Sequence, residues 1–157
     1  MFKATPLAIL LVLSFAGKTQ IPATKLEIKH FIDSIGTSND FESKEASRFP
    51  AFANGKNYLW KIKFLYNKNR QLLWVEEIKP DSISTVYFYC KDSLIFVSEY
   101  PHFKGSKIKE EEAVFRNIYI FQSKIIDDDL PGLTNRPLSW YLEESKKWLD
   151  QSKIPGN

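Results

Sequence analysis

The sequence predicts an α+β protein, with an antiparallel meander sheet of about six strands and an N-terminal and a C-terminal helix packed on one face. Three observations lead to this fold class. A capped apolar stripe with helical spacing begins at Thr24, strand-like segments rich in aromatic residues run from Tyr58 to Asp129, and a second helical stripe follows Pro137. Because the strands come in one uninterrupted run, helices and sheet are expected to segregate rather than alternate.

The first sixteen residues, MFKATPLAILLVLSFA, have the form of a secretory signal peptide. Lys3 precedes an apolar run, and the small residues Ser14 and Ala16 stand where a signal peptidase cuts. The run is shorter than the roughly 20 residues that a membrane-spanning helix needs. We therefore expect cleavage after Ala16, a secreted or periplasmic protein without stable membrane insertion, and a single α+β domain over residues 17–157. An uncleaved anchor is the alternative.

The net charge and the cysteine content limit the kinds of partner and of core that the chain can have. Lys3 is the one charged residue in the leader, so its removal lowers the net charge from +3 to +2. That charge is too small to indicate a nucleic-acid partner. Cys90 is the only cysteine, so no internal disulfide can form and packing has to hold the core.

The first helix is predicted from its cap and its spacing. Thr24 and Glu27 form a capping box, and Gly36 is expected to end the helix. The residues on its apolar stripe are Ile28, Phe31, Ile32 and Ile35. The polar stretch 37–57 is interpreted as a connecting segment, within which FESKEASRF could form a short helix.

Three hairpins are predicted between the two helices: WKIKFLYNKNRQLLWVEE, TVYFYCKDSLIFVSE and RNIYIFQSKIID. With NKNR as a four-residue loop, the first hairpin pairs Tyr66 with Gln71. That register puts Lys63 opposite Trp74 and Lys61 opposite Glu76 on the outer face. We interpret this face as a candidate partner-binding surface, because an exposed tryptophan on a rigid strand pair is typical of a binding hot spot. The plainer alternative is that Trp74 only packs on the lysine stems.

The final helix is expected to begin near Pro137. Its stripe consists of Leu138, Tyr141, Leu142, Ser145 and Leu149, with Trp148 beside it. Trp140 falls on the opposite side and is a further candidate for partner binding.

The residues that carry common chemistries are sparse. The two histidines, His30 and His102, lie far apart, so no nucleophilic triad and no zinc site are predicted. The acidic run at Asp127 begins like a calcium loop, but Pro131 and Leu138 break the pattern, so no metal is predicted. There is no glycine-rich phosphate loop, and we expect no cofactor and no catalytic residue.

Two functions of different class remain open. The first is a non-catalytic binding or interaction module for a protein or polymer ligand. The second is a small-ligand carrier or enzyme whose pocket lies between sheet and helices and uses carboxylates such as Asp127 or Asp129 with a tyrosine. A packed interior favours the first function, and a deep cavity that holds a carboxylate favours the second.

Overall fold

The structure of the 157-residue chain is a computed structural model, and it describes residues 20–38, 41–48, 60–79, 82–102, 115–129 and 134–153. The predicted signal peptide lies outside these residues. Two helices flank seven strands: α1 Lys25–Thr37, β1 Phe41–Arg48, β2 Trp60–Asn67, β3 Leu72–Ile78, β4 Ser82–Cys90, β5 Ser93–His102, β6 Arg116–Phe121, β7 Lys124–Asp128 and α2 Leu138–Ser152. Each strand pairs antiparallel with the next along the chain. The predicted α+β meander with one helix at each end is confirmed.

The additional strand, β1, lies where a connecting segment was predicted. It pairs with β2 along its whole length, from Phe41 opposite Asn67 to Arg48 opposite Trp60. The Ser, Asn and Asp residues with Pro50 and Gly55 suggested a connecting segment, and the short helix considered for FESKEASRF is wrong, because this stretch forms β1. An edge strand exposes one side to water and accommodates charged residues such as Lys44 and Glu45 there. Pairing with β2 therefore overrides the weak local strand propensity of this segment.

Helix α1 begins as its sequence predicts. The Thr24 hydroxyl accepts a hydrogen bond from the Glu27 N–H, and the Glu27 carboxylate accepts bonds from the N–H groups of Ala23 and Thr24. These bonds hold the pKa of Glu27 below its usual range. The helix continues through Gly36 to Thr37, one residue past the predicted end.

The helices lie on opposite faces of the sheet, although the sequence analysis placed both on one face. In β4, Tyr87 and Tyr89 pack in the core that contains Tyr141 and Trp148 of α2. The alternate residue Phe88 packs in the core that contains Ile28 of α1. Successive strand residues point to opposite faces, so α2 covers one face and α1 the other. Strands β4 to β6 carry apolar residues on both faces, so a helix has to cover each face. The apolar stripes of the two helices do not indicate which face of the sheet each helix covers.

Both predicted helical stripes face the sheet. Ile28 and Ile35 are buried on α1, with Phe31 and Ile32 packed beside the α1-side core. On α2 the buried residues are Tyr141, Ser145 and Trp148, and Leu138, Leu142 and Leu149 pack against them. Trp148, which was expected to flank the stripe, is one of its central members.

The register of the β2–β3 hairpin differs from the prediction by two residues. The turn extends from Asn67 to Gln71, because the Asn67 carbonyl accepts a hydrogen bond from the Arg70 N–H and Arg70 adopts a left-handed φ of 58°. Tyr66 therefore pairs with Leu72, and a bulge at Leu73 adds a second residue of shift. Because side chains alternate with a period of two, a shift of two keeps Lys63, Trp74 and Glu76 on their predicted face. Leu72 was expected on that outer face, opposite Leu65, but it lies in the α2-side core with Tyr66.

Candidate functional site

The predicted binding surface forms on the side of β2 and β3 that faces away from α2. We define the Trp74 surface as Lys61, Lys63, Leu65, Trp74 and Glu76. The corrected register sets Leu65 opposite Trp74 and Lys63 opposite Glu76. The structure thus brings together the four residues that the sequence grouped here and adds an apolar neighbour for the indole.

Ion pairs on the Trp74 surface differ from those predicted. The Lys63 ammonium lies 3.4 Å from the Glu76 carboxylate, and the Lys61 ammonium lies 3.3 Å from Glu45 of β1. Glu76 also accepts a hydrogen bond of 2.6 Å from the Tyr100 hydroxyl. Burial and this bond raise the pKa of Tyr100, which keeps its hydroxyl protonated. Each charge of the surface has a cross-strand partner, so the surface as a whole is close to neutral.

Trp74 lies in a row of apolar side chains that crosses the sheet. The register continues from Trp74 to Phe88, then to Phe96 and to Tyr119. The last three residues belong to the core that α1 covers, and Trp74, which is half-buried, belongs to neither core of the described residues. The indole therefore lies at the margin of the helix-covered area, where the sheet passes from core to surface.

Trp140 does not join this surface. It lies on α2, on the opposite side of the sheet, where it is half-buried and packs against the α2-side core. Its ring contacts Tyr141 edge to face, and the Arg136 guanidinium lies 4.3 Å from the ring centroid. The expectation that Trp140 points away from the core is therefore wrong, and cation–π stacking with Arg136 explains its position.

A buried polar row, which the sequence analysis missed as a group, crosses the α2 side of the sheet. Glu77, Thr85, Glu99 and Arg116 are direct neighbours on four adjacent strands, and all four are buried. Arg116 donates two hydrogen bonds to the carboxylate of Asp128 on β7, at 3.1 and 2.7 Å. Bonding to Asp128 raises the pKa of Arg116 and keeps it charged.

The segment before α2 closes over this row. The Arg136 guanidinium donates a bond of 2.9 Å to Glu99, and the Thr134 hydroxyl donates a bond of 2.6 Å to the same carboxylate. Arg116 in turn donates to the Thr134 carbonyl and to the hydroxyl of Tyr141. Burial raises the pKa of Tyr141 to about 12. Because its charges are paired and buried, the row fastens α2 to the sheet rather than offering a group to a ligand.

One signal in the sequence could have revealed the row. The strand alternation that places Val75, Tyr87 and Val97 in the core also places Glu77, Thr85 and Glu99 at core-facing positions. Two acidic residues at core positions require buried cations. Lys79 pairs with Glu77 at 2.6 Å, and Arg116 and Arg136 pair with Glu99. Only the three-dimensional arrangement shows which arginines reach Glu99.

The acidic run has a different role from the one weighed in the sequence analysis. The Asp127 and Asp129 carboxylates share one side, as predicted, and both bind the Lys25 ammonium at the start of α1, at 2.5 and 2.6 Å. This contact lowers the pKa of Asp127. Tyr119 lies beneath Lys25, with its ring centroid 4.8 Å from the ammonium. The described part of the chain holds no group of three or more His, Cys, Asp or Glu side chains that could bind a metal.

No family model, curated protein or solved structure matches the chain. Over the described residues, none of the helices has both the length and the apolar character to span a membrane.

Proposed function

We propose that the chain is an exported, non-catalytic binding module that docks a protein partner on the Trp74 surface. The observation that carries the proposal is the position of Trp74, a half-buried indole on a paired strand, outside both cores of the described residues. Tryptophan held on a rigid scaffold is enriched among the residues that dominate binding energy.

The surroundings of Trp74 resemble a protein interface in composition. Half-buried Leu65, Ile78 and Val86 contribute apolar area on the same side of the sheet. Lys63 and Glu76 border this area as a pair, so the surface offers apolar contact with a neutral polar edge. An apolar centre with a polar rim is the arrangement of protein–protein interfaces. A polymer ligand with strong net charge fits this balanced edge less well.

The interior between the sheet and α2 favours binding over catalysis. Its centre is packed by Tyr87, Tyr89, Tyr141 and Trp148. Its carboxylates are paired with cations: Asp128 and Glu99 with arginines, and Glu77 with Lys79. From the sequence, a packed interior was expected to favour a binding module, and a cavity that holds a carboxylate was expected to favour a carrier or enzyme. The packed centre therefore supports the binding module.

The test is capture of partners from the envelope and medium of the native host. The processed protein is immobilised as wild type, as Trp74→Ala and as Trp140→Ala, after melting curves establish that the variants are folded. The two variants are matched, because each removes one half-buried indole, but on opposite sides of the sheet. We expect Trp74→Ala to lose the captured protein and Trp140→Ala to retain it.

Equal capture by wild type and Trp74→Ala would contradict the proposal, as would a loss confined to Trp140→Ala. Leu65→Asn provides a second variant, which makes the same surface polar while the indole stays in place. It should weaken capture in the same direction as Trp74→Ala.

A further inference from the structure

A concave surface lies at the end of the sheet where the β4–β5 and β6–β7 turns meet α2. The two turns, the inner side of α2 and the residues that lead into α1 surround a groove of about 690 Å³. We name it the turn-end groove and define it by Ile21, Lys91, Leu94, Ile120, Lys146 and Leu149. Its volume falls within the roughly 300 to 1,000 Å³ of small-molecule sites.

Apolar side chains contribute the larger part of the surface of the turn-end groove, beside polar residues such as Gln122 and Ser145. Leu94 and Ile120 are buried side chains of the α2-side core and form its floor. Leu142 and Leu149 of α2 and Ile21 before α1 are half-buried and form its sides. A floor and sides of this kind suit a hydrocarbon chain, because each buried methylene contributes about 0.8 kcal/mol.

The charged side chains that line the groove are mostly positive, with Lys91 and Lys146 against the single carboxylate of Asp92. Uncharged polar residues, such as Gln20 and Ser145, also line it. Lys91 and Lys146 line it and are exposed, and within the described ranges no carboxylate lies at ion-pair distance from either ammonium. Asp92, the acidic residue beside them, is already paired with Lys153 at 3.2 Å. Two lysines without an ion-pair partner beside an apolar groove complement an anionic head group.

A neighbouring groove of about 830 Å³ shares Lys91 with the turn-end groove and is also predominantly basic. Lys44, Arg70 and Lys153 line it, against the two acidic residues Glu42 and Asp92. The basic character therefore extends beyond the two lysines, and the local field favours an anion over a cation.

We propose that the turn-end groove binds a single-chain amphipathic carboxylate, with its hydrocarbon chain against Leu94, Ile120 and Leu149 and its carboxylate between Lys91 and Lys146. This site is separate from the Trp74 surface and does not depend on it. A ligand pocket with carboxylates and a tyrosine was the expectation from the sequence, whereas the charged groups of this groove are mainly ammonium groups.

The experiment measures binding of decanoate to the processed protein by calorimetry, in parallel with decyltrimethylammonium as a probe of equal chain length and opposite charge. We expect saturable binding of decanoate and at least tenfold weaker binding of the cation. A series of shorter and longer carboxylates should tighten about fourfold for each added methylene until the groove is filled.

Two lysine variants test the head-group site. Lys91→Asn removes the charge while keeping a residue that tolerates the left-handed conformation of this turn position, where φ is 50°. Together with Lys146→Gln it should weaken decanoate binding about tenfold or more, the effect of losing hydrogen bonds to a charged group. Lys29→Gln, on α1 and outside the groove, is the matched control and should bind as wild type.

Leu149→Gln tests the chain site, because it makes one wall polar and should flatten the dependence of affinity on chain length. Three results would overturn the proposal: no saturable decanoate binding up to about 1 mM, equal affinity for the cationic probe, or unchanged affinity in the double lysine variant. Binding only to vesicles that contain anionic phospholipid, without binding of free decanoate, would likewise reject it. The tests with wild-type protein decide the matter even if a variant fails to fold.

Discussion

The two faces of the sheet are built differently. On the α2 face, a continuous core extends from β2 to β6 and a row of buried charges is closed by Arg116 and Arg136. On the α1 face, a smaller core covers β4 to β6, and beside it Trp74 remains half-exposed. The same strands carry both faces, so the difference arises from what covers them.

Under the proposed function, the contrast separates residues that stabilise the fold from residues that bind a partner. Ion pairs of the α2 face are buried, so removing one partner leaves the other charge buried without a counter-charge. Those of the Trp74 surface, such as Lys63 with Glu76, remain partly in contact with solvent and contribute little to stability. Residues of the Trp74 surface can therefore change with little loss of fold, as a binding surface requires.

The largest effect is expected from breaking the buried row. Arg116→Met should lower the free energy of unfolding by about 3 to 5 kcal/mol, because Asp128 loses its bidentate partner and Glu99 one of its cations. Urea unfolding measures it. Lys63→Met, which breaks a partly exposed pair, should cost no more than about 1 kcal/mol. Similar losses of unfolding free energy in the two variants would show that ion pairs on the two faces contribute equally to stability.

The second prediction concerns the smaller core. Ile28 is 0% exposed beneath α1, and Ile28→Ala should cost about 2 to 5 kcal/mol. The control, Leu26→Ala, alters a side chain of the same helix that is 62% exposed, and should change stability by no more than about 0.5 kcal/mol. A near-neutral Ile28→Ala would mean that α1 does not pack on the sheet.

Two tyrosines on the α2 face give a matched pair with effects of opposite sign. The Tyr89 hydroxyl donates a bond of 3.1 Å to the Ser145 carbonyl, whereas the buried Tyr87 hydroxyl has no hydrogen-bond partner in the described part of the chain. Tyr89→Phe should therefore destabilise by about 1 kcal/mol, and Tyr87→Phe should be neutral or stabilising by a similar amount. Chemical denaturation of both variants checks the sign, and a clearly destabilising Tyr87→Phe would reveal a missing partner for its hydroxyl.

The smallest effect is expected where α1 meets the sheet edge. The Lys25 ammonium lowers the pKa of Asp127, and a depressed carboxyl contributes stability above its ordinary unfolded pKa of about 3.9, which is lost as the pH falls through the folded value. Lys25→Met should melt below wild type at neutral pH, and the difference should narrow under acidic conditions. A difference in melting temperature that stays constant between neutral and acidic pH would show that this contact contributes nothing electrostatic.

Much of the fold was accessible from the sequence because local signals agreed with one another. The capping box of α1, the three hairpins and the two helical stripes each depend on neighbouring residues. The strand β1 was missed because its stability comes from pairing with β2 rather than from its own composition. The bulge at Leu73 and the longer turn had no distinct signal, yet their two shifts together kept Trp74 and Glu76 on the predicted face, while Leu72 moved into the α2-side core.

The candidate site was predictable in part, again where the signal lies in neighbouring residues. Side-chain alternation placed Lys61, Lys63, Trp74 and Glu76 on one face, and the structure keeps them there. It could not indicate that Lys25 would reach Asp127, because that contact joins distant parts of the chain. The stacking of Trp140 on Arg136, four residues earlier, is local but was not predicted. The groove lysines, Lys91 and Lys146, come together only through the packing of α2.

Photo-crosslinking in the native host tests most directly whether a partner protein binds the face of the sheet that carries the Trp74 surface rather than the α2 face. A benzophenone amino acid replaces Trp74 in one strain and Glu143, an exposed residue of α2, in another. After irradiation, the variant labelled at position 74 should give a discrete covalent adduct with a partner protein, and the variant labelled at position 143 should give none. Adducts of equal yield from both positions, or an adduct only from position 143, would contradict the assignment of recognition to the Trp74 surface.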